Sequence, residues 1–119
     1  MNPFTVHCIP WQAGAILLQD VRDTACKMGL IDKSEALPNM QDKLCRHALA
    51  LGTKGKVIGC ARIKPDGCID RMIVLPHTHH VQIEAALNEI LNDYAKQVKT
   101  AILPAPRNVF LAGSPPTRG

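Results

Sequence analysis

The segment Ile69–Leu91, IDRMIVLPHTHHVQIEAALNEIL, decides the fold. Its first part is a short apolar run rich in β-branched residues, the pattern of a strand, and Pro76 closes it because proline has no N–H for the ladder. From about Val81 to Val98, the residues Ile83, Leu87, Ile90, Tyr94 and Val98 step by four, three, four and four. That spacing predicts an amphipathic helix near 81–97. A strand that runs into a helix N-terminus offers free backbone amides to an anion, usually through glycines that let a phosphate approach. Here the turn carries His77, His79 and His80 instead.

Upstream, KVIGCARIK and CIDRMIVL flank Pro65-Asp66-Gly67, a turn with a fixed φ followed by a permissive residue, so 56–64 and 68–75 form a hairpin. KLCRHALAL and KVIGCARIK flank GTKG, a second hairpin signal that makes 44–51 a strand. The polar stretch IDKSEALPNMQD, broken by Pro38, reads as a loop or short irregular helix. Before it, Leu17, Val21, Ala25 and Met28 mark the buried stripe of a helix near 13–28, with Gly29 as its stop. Asp20, Arg22, Asp23 and Lys27 fall mainly on its other faces. FTVHCI, residues 4–9, alternates as an edge strand. Downstream, TAILPA predicts a strand at 100–104, PRNVFLAG a turn or two of helix, and SPPTRG (114–119) an unstructured tail.

These readings give one domain over 1–113 of α/β (α+β) class. Its mixed central sheet has antiparallel strands followed by a β-α-β crossover, right-handed and parallel across 68–75 and 100–104. A length of 119 residues suits a single domain. Hydrophobic residues make up 46% of the chain and aromatics 3%, so the core rests on aliphatic side chains and base stacking on aromatics is disfavoured. With a formal charge of +4 and no acid from Lys96 onward, the end of the chain is basic. The plainer reading of that charge is a solubilising surface, so no nucleic acid is expected as a partner. The five cysteines contain no C-x-x-C pair, and neither a leader-like segment nor a long apolar run is present. The expectation is a reducing, cytoplasmic setting without a membrane partner. His77-Thr78-His79-His80 lacks a second pair of ligands elsewhere, so no metal is expected. His7 and His47 read as structural.

The order and spacing of these pieces resemble the GCN5-related N-acetyltransferase superfamily, in particular small bacterial members of the ElaA type. LLQDVRDTACKMG resembles the first helix with its arginine, and DKLCRHALAL the D-x-x-x-x-H opening of the second strand. KVIGCARIKPDGCIDRMIVLP resembles strands three and four, and IEAALNEILNDYAKQ the helix after the cofactor turn. The resemblance spans roughly Phe4 to Gly113.

It implies transfer of an acyl group from acetyl-CoA, or another acyl-CoA, to a small-molecule or protein amine. The pantetheine arm would lie on backbone amides of Ile73, Val74 and Leu75. The pyrophosphate would lie on those of His79, His80, Val81, Gln82, Ile83, Glu84 and Ala85, at the start of the helix. Where the family has glycines or a small residue, this sequence has His80, Gln82 and Glu84. The first two add bulk, and Glu84, expected in the first helical turn, adds like charge. A chain of the same fold that binds without catalysis is the alternative. Asp70 has two readings: the strand-four acid that deprotonates the amine, or a partner for Arg62 or Arg71. At the position of the family's thiolate-protonating tyrosine stands the neighbourhood of Phe110, without a hydroxyl; Tyr94 belongs to the helical stripe. The sequence ends soon after that point, so the sheet either ends short or is covered along its edge by a second copy.

Overall fold

A computed structural model describes residues 3–102. Strand β1 (Phe4–Pro10) leads into helix α1 (Trp11–Lys27) and the short α2 (Lys33–Ala36). A 3-10 turn (Met40–Leu44) follows, then β2 (Arg46–Gly52), β3 (Val57–Ile63), β4 (Ile69–Val74) and helix α3 (His80–Ile102). The four strands form one antiparallel sheet in the order β1-β2-β3-β4. The class is α+β.

Both hairpins form where the turn residues require them, with Gly55 at φ 76° and Gly67 at φ 92°. Helix α1 ends at Gly29, whose φ of 77° lets its N–H reach Cys26 O while Leu30 N–H reaches Ala25 O. This double closure satisfies carbonyls that the last helical turn leaves free.

Helix α1 covers one face of the sheet, where Leu18, Val21 and Ala25 pack with Leu49, Val57, Cys60, Ile73 and Leu75. Helix α3 covers the other, with Ile83, Leu87 and Leu91 on Ala48, Ala50, Ile58, Ala61 and Ile63. Because both faces are covered, β3 is buried at every position and β2 over its middle, which explains their unbroken apolar runs. At Gly59 a Cβ would lie 2.9 Å from Ile73 O and 3.3 Å from a methyl of Leu87. A side chain there would clash with the β4 backbone and crowd the α3 side chains packed over it. No helix among the described residues is long and apolar enough to cross a membrane.

Three sequence expectations need correction. Thr100, Ala101 and Ile102 continue α3 rather than opening a strand, so no parallel crossover exists among the described residues. Positions 103–104, PRNVFLAG and the tail at 114–119 lie outside them. The buried stripe of α1 runs through Leu18, Val21, Arg22 and Ala25, leaving Leu17 and Met28 about half exposed. Arg22, expected on an outer face, is therefore inside. Finally, α3 starts at His80, so its first turn contains no acid and Glu84 is the fifth residue.

Candidate functional site

The head of α3 is built from short-range bonds around the histidine turn. Leu75 N–H donates to Ile58 O at 2.9 Å, carrying the chain one residue past β4 before Pro76. His77 Nδ1 then accepts the His79 amide at 3.1 Å, and His77 O accepts the His80 amide at 3.2 Å. The His77 and His79 rings lie 5.6 Å apart. Ile83 N–H closes on His79 O at 2.9 Å as α3 begins. A helix start leaves the amides of Val81 and Gln82 without intrahelical acceptors, so they remain open to an anion.

The residues that the resemblance implied for cofactor binding separate into two sets. Ile73, Leu75 and Ile83 are buried in the core and Val74 and His79 are half-buried, while His80, Val81, Gln82, Glu84 and Ala85 are exposed. A cleft of about 210 Å³ lies between the end of α1, β4 and α3, lined by Leu30, Ile31, Met72, Ile73, Val74, His80 and Glu84. His80 and Glu84 are four residues apart on one helix and so share its face. The cleft wall is apolar on the strand side and polar on the helix side.

Strand β4 is irregular beside this cleft. Asp70 pairs with Arg62 and Ile73 with Cys60, so Arg71 and Met72 together oppose the single residue Ala61, a β-bulge. Arg71 sits at φ 50°, in the left-handed region that non-glycine residues rarely enter. Its guanidinium reaches the Glu35 and Leu37 carbonyls, tying the bulge to the end of α2.

A buried charge network underlies the same strand. Arg22 holds Asp42 through two hydrogen bonds at 2.9 and 3.0 Å, and Arg62 adds a third at 3.0 Å. The Asn39 amide donates a fourth. Arg22, Asp42, His47 and Arg62 are all at most 3% exposed. His47 Nε2 lies 2.8 Å from Asp42 O, and Trp11 packs against both the His47 ring and the Arg22 guanidinium. Burial works to raise the Asp42 pKa, but the bonds from Arg22, Asn39 and Arg62 outweigh it and hold the carboxyl well below the usual carboxylate range. Burial lowers the His47 pKa and pushes the Cys60 thiol up to about 12. His7, by contrast, is exposed, bonding Thr5 at 3.0 Å.

Asp70 belongs to this network. Both of its oxygens accept from Arg62, at 2.7 and 3.1 Å. Its ion-pair partner is thus Arg62 rather than Arg71. Asp70 does not line the cleft. The sequence reading missed that Arg22, Asp42 and Arg62 act together. Its signal lay in the spacing 18-21-22-25: once Leu18 starts the stripe, Arg22 falls on the inner face and needs a buried acid.

Among the described residues no group of three His, Cys, Asp or Glu side chains is placed to hold a metal ion. Comparison of the chain with protein-family models, curated proteins and solved structures finds no match in any of the three.

Proposed function

We propose that this chain is an acyl-CoA-dependent N-acyltransferase of the GCN5-related type, acting on an amine in a reducing, cytoplasmic setting. One observation carries the reading: a bulged strand that, among the described residues, has a hydrogen-bonded neighbour on one side only runs past a cleft onto the open amides of a helix start. An unpaired strand edge suits the amide groups of a pantetheine arm. The cleft of about 210 Å³ suits a short acyl end, and the α3 amides suit a phosphate. Glu84, which lines the cleft, weakens the attraction for phosphate by like charge. Calorimetric titration of acetyl-CoA and CoA into the full chain tests this. Saturable binding weaker than low micromolar is expected, and no heat at millimolar CoA would remove the proposal.

A second reading, a non-catalytic binding module of the same fold, is favoured by the Asp70 carboxylate. Both of its oxygens are engaged by Arg62 and it does not line the cleft, so it is not placed to meet an amine there. The two readings part on turnover. Release of free thiol from acetyl-CoA in the presence of primary amines supports the transferase, and CoA binding without thiol release supports the module.

A further inference from the structure

We infer that the groove at the opposite end of the sheet is a binding site for an amphipathic monocarboxylate. This groove lies between the second half of α3 and the β3–β4 turn. Its volume of about 610 Å³ falls among small-molecule sites, commonly about 300–1,000 Å³, whereas the cleft at the head of α3 falls below that range. Its walls are mainly apolar, from Leu44, Ile63, Pro65, Ala95 and Val98.

The polar groups in it are few and predominantly positive. Arg46 and Lys64 line it with a single acid, Asp66, on the exposed turn. The Arg46 guanidinium lies 4.6 Å from the centre of the Tyr94 ring. It has no carboxylate within ion-pair distance among the described residues. The two buried arginines, Arg22 and Arg62, are both ion-paired with acids. Among the described residues Arg46 is thus a positioned cation whose fork of N–H donors meets no acid in its own plane, while the ring occupies one face.

A carboxylate fits that fork by two parallel hydrogen bonds, and a hydrocarbon body fits the wall formed by Leu44, Ala95 and Val98. The aromatic ring fixes the guanidinium beforehand, so less rotamer freedom is lost when the anion arrives. Lys64 adds longer-range attraction. The site is separate from the head of α3 and does not rest on the acyltransfer reading.

The test is titration of the full chain with octanoate, followed by the methyl resonances of Ala95 and Val98, with 1-octanol and acetate as controls. Octanoate should shift these signals saturably. Octanol, which lacks the charge, and acetate, which lacks the body, should each bind at least tenfold more weakly. Arg46→Gln should weaken octanoate at least tenfold, and Arg46→Lys, which keeps charge without the fork, by an intermediate factor. Raising salt on the unmodified chain should weaken octanoate but leave octanol unchanged, a readout independent of any variant's folding. Equal binding of octanol and octanoate, an unchanged affinity in Arg46→Gln, or no saturable shift at millimolar octanoate would each overturn the assignment.

Discussion

At the scale of single residues, Asp42 governs more than any other side chain. It is wholly buried and is the shared counter-charge of Arg22 and Arg62. Asp42→Asn keeps the shape but leaves two buried guanidinium groups short of one negative charge. Breaking a buried pair in this way costs about 3–5 kcal/mol, so urea unfolding at neutral pH should show a loss of that order; a loss under about 1 kcal/mol would refute the network's role. The pH dependence follows from the same carboxylate. Its pKa is lowered on folding, so its stabilisation is complete above the unfolded value of about 4 and is lost as pH falls toward the folded value. His47, also lowered on folding, contributes stability that begins to fall below about pH 6.5. The two limbs therefore separate: Asp42→Asn should flatten the lower one and, by removing a charge that raises the His47 pKa, deepen the upper one.

The elements show which parts of the fold were legible in the sequence. Strands β2 to β4 were readable because each hairpin is specified by its own turn residues, as at Pro65-Asp66-Gly67, and β1 from its alternation. The start of α3 was readable from a stripe of several turns. The error at 100–104 has a local cause: Thr100, Ala101 and Ile102 form a short apolar run with β-branched residues, which fits a strand or a helix equally well. The stripe of α1 slipped because Leu17 and Leu18 are adjacent and identical in type. At the candidate site, the cleft-lining His80 and Glu84 were picked out by the family resemblance, and helical spacing alone would have left His80 outside the helix. The bulge was not, because a left-handed arginine leaves no composition signal. That bulge gives a prediction about β4. Arg71→Ala loses the tie to α2 and keeps the left-handed backbone, whereas Arg71→Gly loses the tie but relieves the strain. The glycine variant should be the more stable by about 1 kcal/mol in denaturant unfolding, and an equal or lower stability would show that the bulge carries no strain. A second prediction concerns the head of α3. The triple change His80→Gly, Gln82→Gly and Glu84→Gly removes three exposed side chains. It should raise CoA affinity in calorimetry while lowering the melting temperature, since each glycine costs up to about 1 kcal/mol in a helix. Low-micromolar CoA binding by the unmodified chain, or no gain in the triple variant, would refute the view that these side chains obstruct a phosphate.

At the scale of the whole molecule, the sheet has two outer strands, β1 and β4, and the two differ in how far they discourage association. Strand β1 ends in Pro10, which offers no N–H to a further strand. Strand β4 has no proline, and among the described residues its protection is the bulge at Arg71. Below the bulge Ile73 is in the core, and Met72 and Val74 are half-buried, so this stretch presents backbone groups beside apolar surface. Val81, at the head of α3, is 74% exposed. A second copy pairing along β4 would satisfy the unmatched backbone and cover the apolar border together, in competition with a pantetheine arm on the same edge. Light scattering at high micromolar concentration should therefore give the mass of two chains. Amide exchange in β4 should slow as concentration rises, while exchange in β1 should not. A monomer at that concentration would remove the proposed association, and a dimer that protects β1 or α1 instead would place it on a different surface.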